Sequence, residues 1–232
     1  MKHKLAFIIY GAGSDIIAPI FNYYPDANFI CLVNKSKPEY LTGLILETGS
    51  SDFEDQLAIA LSNIPKDRML VFLSAAVYQK DELFIQHSHT DINMMIHSGI
   101  SQLLFISQIV VTEMLKRRTG RAINLSSFRA HSPTKGAAIY SAIKSFSNIF
   151  FSGLGIEYGR FDITSNSIAI GFAESKLLDN IKNEKLDHFK KSIAKNEFLP
   201  QQEFLEVIDF LIGSKYINSS IIDLNGGLEY LK

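Results

Sequence analysis

Short apolar runs rich in β-branched and aromatic residues alternate along the chain with longer segments in which apolar positions recur every three or four residues. The runs are Leu5–Tyr10, Phe29–Val33, Leu44–Leu46, Met69–Leu73, Ala122–Leu125, Ile163–Ile170 and Ile221–Leu224. Each is bounded by Gly, Pro, Asn, Asp or Ser, and most are apolar throughout. A strand with one solvated face alternates, whereas a continuous run marks burial on both faces, as in a parallel sheet covered by helices. The intervening segments Asp15–Tyr24, Phe53–Asn63, Ile92–Arg118, Ile139–Tyr158 and Gln202–Gly213 are long enough for crossover helices. This β-α order predicts an α/β fold, a doubly wound parallel sheet of about seven strands with helices on both faces. No repeat, low-complexity tract or linker interrupts it, so residues 1–232 are expected to form one domain.

Two features modify that picture. The segment Glu174–Phe198 is rich in Lys, Asp, Glu and Asn, with Leu177, Leu178, Ile181, Leu186, Phe189 and Ile193 at roughly helical spacing. It reads as one or two amphipathic helices, and its place after the sixth strand suits a lid over a ligand crevice. The helices Ile92–Arg118 and Ile139–Tyr158 carry more apolar residues than one buried face needs, including Leu103, Leu104, Phe105, Ile106, Phe146, Ile149, Phe150 and Phe151. Such helices are buried on several sides. Either a thick core or a partner subunit provides the burial.

Composition narrows the function classes. With 47% hydrophobic and 20% charged residues and a net charge of −1, the 232-residue chain has the balance of a soluble globular protein. Nothing in its bulk charge points to nucleic acid or an anionic membrane. The single Cys31 has no internal disulfide partner and lies in an apolar run, which suits a buried thiol in a reducing compartment. No uninterrupted apolar run approaches the 18 or so residues of a membrane span. The basic start and the run Leu5–Ile9 are too short for a signal peptide, and a cytoplasmic location is expected. No Cys/His cluster or paired-carboxylate spacing argues for a metal.

The chemistry centres on Tyr140-Ser-Ala-Ile-Lys144, which begins 13 residues after Ser127 at the end of a predicted strand. Residues four apart on a helix share a face. The ammonium is then placed to stabilise the phenolate and to pull the tyrosine below its ordinary pKa of about 10. A tyrosine so tuned exchanges protons near neutral pH, as carbonyl reduction or alcohol oxidation requires, and Ser127 can hold the reacting oxygen.

These residues resemble the short-chain dehydrogenase/reductase family, and the resemblance runs nearly end to end. Ala122-Ile-Asn-Leu-Ser-Ser127 resembles the family's fifth strand with its catalytic serine, and Tyr140 to Lys144 resembles its catalytic Tyr-xxx-Lys. Asn166-Ser-Ile-Ala-Ile-Gly171-Phe-Ala-Glu-Ser175 resembles the segment that lies against the nicotinamide. Ile222-Asp-Leu-Asn-Gly-Gly227 resembles the last strand and its turn. The resemblance implies a Rossmann-like fold and an NAD(P)-dependent oxidoreductase acting on a carbonyl or secondary alcohol. Tyr140 would be acid and base, Ser127 would polarise the carbonyl, and Lys144 would hold the nicotinamide ribose.

The departures lie at the cofactor loop and the proton relay. Tyr10-Gly11-Ala12-Gly13-Ser14-Asp15-Ile16-Ile17 aligns on the family's glycine-rich turn. Gly11 is kept, Asp15 stands at the second glycine and Ile17 at the third, where a β-branched side chain is expected to fill space left for close approach. Asp15 suits an N-cap, and Gly13 restores some loop freedom. Ser74-Ala75-Ala76 supply small residues near the ribose, and Gly171 and Ser175 stand at the nicotinamide. Spacing puts the family's relay asparagine at or near Gly99, with His97, Ser98 and Ser101 as neighbours able to substitute.

Asn34, Lys35 and Ser36, followed by Lys37, end the second strand. Basic residues there suit the 2′-phosphate of NADP better than the 2′-hydroxyl of NAD, although two solvated loop lysines read almost as well. Between serine and tyrosine, Arg129, His131 and Lys135 suit a substrate with an anionic handle, and ordinary loop charges fit equally. In this family the two apolar helices form a dimer interface, which implies a homodimer or homotetramer. Two other readings stay open: a catalytically silent relative acting as a binding or partner subunit, and an epimerase-type enzyme with no net redox change.

Overall fold

The structure is a computed structural model that describes residues 4–34, 37–174 and 183–228. Seven parallel strands form one sheet, in the order β3-β2-β1-β4-β5-β6-β7. They are β1 Leu5–Tyr10, β2 Asn28–Val33, β3 Leu44–Glu47, β4 Met69–Ser74, β5 Gly120–Ser127, β6 Ile163–Ile170 and β7 Ile221–Leu224. All residues of β1, β4, β5 and β6 are buried, as uninterrupted apolar runs demand of central strands. The polar Asn124 of β5 is satisfied from β6 and from the helix Ala138–Tyr158: its Nδ2 donates to Ser167 Oγ of β6 at 3.0 Å and to Ser147 Oγ and Asn148 Oδ1 of that helix at 3.1 and 3.2 Å.

Helices cover both faces. Helix α1 (Ala18–Tyr23) and α7 (Gln201–Gly213) share one core with Phe7, Ile9, Val71 and Ile168. On the other face, α2 (Phe53–Ser62), α4 (Gln102–Arg117) and α5 (Ala138–Tyr158) pack on Ile8, Leu70, Phe72 and Ala122. The remaining helices are α3 (His89–Ile96), started by a capping box between Ser88 and Asp91, and α6 (Asn183–Lys191). This is the doubly wound arrangement expected from the chain's pattern.

Two local outcomes differ from the expected elements. The first helix does not run unbroken from Asp15. A 3₁₀ turn spans Asp15–Ile17 and α1 starts only at Ala18, because Pro19 has no N–H to offer and its ring collides with the carbonyl four residues back. Ser14, not Asp15, takes the N-cap position. The second outcome is a continuous helical stretch, His89–Arg117, long and apolar enough by length and composition to cross a membrane. The broken apolar runs of the sequence conceal it, because α3, a π-helical turn at His97–Ser101 and α4 join end to end. Leu103, Ile106, Val110 and Met114 of this stretch are buried in the core beside the sheet.

Candidate active site

Strand order reverses between β1 and its two neighbours: the chain goes from β1 out to β2 and β3 and returns to β4 on the other side. Loops leaving the carboxyl ends of β1 and β4 therefore diverge and leave a crevice, the usual ligand position in such a sheet. Two cavities lie there and share Gly13, Ser14, Ala75 and Val77 as walls. One, of about 310 Å³, lies over β1, β2 and β4 and is lined by Tyr10, Gly11, Asn34, Thr48, Ala76 and Gln102 among others. The other, of about 550 Å³, lies over β4, β5 and β6 and holds Ser127, Arg129, Tyr140, Lys144 and Gly171. Together they make one elongated crevice with two lobes.

The turn after β1 is built for close approach. Gly11 has φ +86°, and a Cβ there would meet the Ala76 amide nitrogen at 2.6 Å. The amides of Ala75 and Ala76 in turn donate to the Tyr10 carbonyl at 2.8 and 3.1 Å, which fastens the two loops together. Ile17 does fill interior space, but beneath the loop and not in the crevice. Its side chain is fully buried in the core with Ile20 and Phe204, so it leaves the loop's outer surface open. Asp15 and Ile16 line the larger lobe. Tyr40, which nothing in the sequence pattern singles out, steadies the turn by donating to the carbonyls of Ala12 and Ser14, both at 3.2 Å. A glycine cradle, small residues on the facing loop and two joined lobes fit a dinucleotide.

Not every expected cofactor residue joins the crevice. Ser74 is buried within β4 and lies behind the lining, while Asn34 reaches the smaller lobe. Lys35, Ser36 and Ser175 lie outside the described residues, as do Leu177, Leu178 and Ile181 of the lid segment. Lys37 is 2.5 Å from Glu47, so its charge is already answered. The described part of the lid segment packs beside the larger lobe: Phe189 of α6 stacks on Phe172 at 4.8 Å, and Phe172 meets Phe128 at 5.5 Å.

Strand β5 delivers Ser127 to its carboxyl end, and α5 brings Tyr140 and Lys144 over it. The Ser127 hydroxyl is near enough to the Tyr140 phenol to lower its pKa, and it accepts the Arg129 amide at 3.3 Å. Lys144 is buried and donates from Nζ to the Leu125 carbonyl at 2.8 Å. Burial pushes its pKa down to about 8. Its Nζ lies 5.9 Å from the centre of the Tyr140 ring. The expected lowering of the tyrosine by this ammonium does not appear: burial raises the Tyr140 pKa, with the Ser127 hydrogen bond and the Arg129 charge opposing it. Tyr140 is therefore a protonated donor at neutral pH.

At the relay position, Gly99 falls within the π-helical turn and is buried. A Cβ there would come within 2.3 Å of Ile143 Cγ2 and 3.2 Å of Val77 Cγ2. Ile143, one residue before Lys144, thus fills the volume a relay side chain would take. Of the neighbours considered as substitutes, Ser98 is committed elsewhere: its hydroxyl accepts the Tyr78 amide at 2.8 Å and donates to the Met94 carbonyl at 2.9 Å. The fold also gathers Glu82, His87 and Asp91, whose ligand atoms lie within 4.8 Å of one another, a cluster that linear spacing does not reveal. The Lys80 ammonium answers the two carboxylates at 3.2 and 2.9 Å.

The fold is a doubly wound, Rossmann-like α/β fold with a crevice where its strand order reverses. The short chain dehydrogenase family matches residues 54–186, more than half of the chain. The chain belongs to the short-chain dehydrogenase family of NAD(P)-linked oxidoreductases. It is 23% identical over 234 residues to a 3-oxoacyl-(acyl-carrier-protein) reductase of Rickettsia bellii, covering 95% of each chain. The same enzyme of Buchnera aphidicola from Baizongia pistaciae is 26% identical over 163 residues, 69% of this chain and 66% of that one. Two solved structures share the fold. An actinorhodin polyketide ketoreductase with NADPH has TM-score 0.82 and 18% identity, covering 98% of both chains. The Thermoplasma acidophilum aldohexose dehydrogenase has TM-score 0.84 and 17% identity, covering 97% of this chain and 94% of that one.

Two expectations follow from this geometry. Gly99→Ala should lower the unfolding free energy by about 1–3 kcal/mol through overpacking against Ile143, and adding Ile143→Ala should recover part of the loss; urea midpoints of the three chains check this. Lys144→Met tests the buried charge. Between pH 8 and 10.5 the unfolded wild type holds a proton on Lys144 that the folded form has released. Wild type should therefore gain stability relative to the variant across that window, by an amount on the order of 2 kcal/mol. A difference that stays flat with pH contradicts the assignment.

Proposed function

We propose that this protein is an NADP-preferring oxidoreductase that reduces a carbonyl or oxidises a secondary alcohol, with Ser127, Tyr140 and Lys144 as its catalytic residues. The observation that carries the reading is the convergence of the Ser127 hydroxyl, the Tyr140 phenol and the buried Lys144 in one lobe of a crevice whose other lobe suits a nucleotide. The nicotinamide, when bound, supplies or accepts the hydride. Tyr140 gives its proton to the substrate oxygen in reduction and takes it back in oxidation, and at neutral pH it is held in the protonated form. Ser127 directs its hydroxyl at the same oxygen and polarises the carbonyl. Lys144 holds the ribose hydroxyls, and its lowered pKa lets it pass a proton near neutrality.

Gly11, Gly13, Ser14, Asp15 and Ile16 take the pyrophosphate side of the dinucleotide, with Ala75 and Ala76 opposite. The preference for NADP rests on Lys35, since Lys37 is paired with Glu47. The Rickettsia and Buchnera relatives, reductases by name, favour the reductive direction. The described part of the lid segment, residues 183–198, meets the larger lobe through Phe189 on Phe172.

The helices α4 and α5 leave Phe105, Ile149 and Ile156 more than half exposed, and we assign this face to a second copy of the chain. Wild type should sediment at a multiple of its 26.0 kDa mass, and Ile149→Asp should sediment as a monomer.

The main test is Tyr140→Phe. It should cut turnover of a screened carbonyl substrate by at least about a hundredfold while NADPH still raises the melting temperature as in wild type. Wild type should bind NADPH more tightly than NADH. Full turnover in Tyr140→Phe would remove the tyrosine from the mechanism, and binding of neither nucleotide would favour a catalytically silent partner subunit.

A further inference from the structure

The loop after Ser127 carries three side chains able to bear positive charge, and the fold sends them to three different places. His131 Nε2 lies 3.3 Å from Asp223 Oδ1 on β7. Lys135 is exposed and lies outside the lining of the crevice. Arg129 lines the lobe that holds Ser127, Tyr140 and Lys144. Its backbone is pinned by the bond from its amide to Ser127 Oγ, and its neighbour Phe128 is buried in an aromatic cluster. The guanidinium is close enough for its charge to act on the Tyr140 phenol.

Arg129 is held by one contact. Nη1 donates to Asp81 Oδ2 at 2.8 Å, and among the described residues no other acceptor takes its remaining N–H groups. A guanidinium presents paired donors that match a carboxylate or phosphate with two parallel bonds, so a one-bond contact uses only part of it. Asp81 is 42% exposed and sits on the loop after β4. The next residue, Glu82, donates its amide to the Gly136 carbonyl at 2.9 Å. The two loops flanking the larger lobe are thus joined by one ion pair and one backbone bond. So exposed a pair adds little to folding stability, and stability alone does not explain an arginine held beside the reacting groups. The Asp81 carboxylate marks where an anion sits against that arginine.

We propose that Arg129 is the anion-binding group of the substrate lobe, that it selects carbonyl substrates bearing a carboxylate or phosphate close to the reacting carbon, and that Asp81 keeps its place until such a group displaces it. The proposal rests on the oxidoreductase reading above. Arg129, Ser127 and Tyr140 line one cavity of about 550 Å³, so the anion and the carbonyl belong to one small molecule.

The experiment compares ketones that differ in charge, with NADPH as reductant. Acetoacetate is set against its ethyl ester for the carboxylate arm, and dihydroxyacetone phosphate against dihydroxyacetone for the phosphate arm. In wild type, kcat/KM for at least one anionic ketone should exceed that of its neutral counterpart by about tenfold or more. Arg129→Met should bring that ratio to about one, Arg129→Lys should fall between, and Asp81→Asn should raise the ratio by lowering KM for the anion. The arm that responds identifies the group. A ratio unchanged between wild type and Arg129→Met overturns the proposal.

If none of these ketones is turned over, the oxidoreductase reading is left to its own test above, and the anion site is judged by binding. Acetoacetate or inorganic phosphate should then raise the melting temperature of wild type, and more so that of Asp81→Asn, but not that of Arg129→Met. Equal shifts in wild type and Arg129→Met overturn it.

Discussion

Everything at the site depends on the close approach of two loops where the strand order reverses. The turn after β1 touches the start of the loop after β4, with Gly11 against the Ala76 backbone and both Ala75 and Ala76 bonded to the Tyr10 carbonyl. A larger residue at Gly11 would separate the loops. They are also the shared wall of the two lobes, so this one contact sets the distance between the nucleotide side and the reacting side. The parallel register of β1 with β4, and of β4 with β5, then carries that alignment across to Ser127.

The reacting groups owe their properties to burial. A charge removed from water disfavours itself, and both Lys144 and Tyr140 are displaced toward their neutral forms. The Leu125 carbonyl gives the ammonium a partner in β5, two residues before Ser127 at the end of the same strand. The Asn124 network beside it supplies polar groups that satisfy one another between β5, β6 and α5. Such satisfied interior polarity lets α5 pack tightly on the sheet without a purely apolar interface.

The architecture was legible because burial on both faces writes itself as apolar runs in β1 and β4, while β3 and β7, partly exposed at the sheet edges, were marked by the punctuating Gly, Pro, Asn, Asp and Ser around them. Ser127, Tyr140 and Lys144 were legible from spacing, since a helix converts four residues into one shared face. What spacing could not convey was direction. Ile17 looked like an obstruction in the loop, but a residue's position says nothing of which way it points, and the turn at Asp15–Ile17 aims it into the core. Arg129, His131 and Lys135 looked alike in one loop, and tertiary partners separate them. The cluster of Glu82, His87 and Asp91 depends on a loop folding back on α3. The electrostatics of Tyr140 escaped for a related reason: the sequence shows which charges are near in number, whereas burial, only partly opposed by Ser127 and Arg129, decides the outcome in space.

The filling of the space beside Gly99 has a bearing on proton traffic. With Ile143 packed against Gly99, hydrocarbon fills the space between the π-helical turn and α5 beside Lys144. The ammonium lines the crevice, so a molecule that fills this lobe comes between Lys144 and the medium.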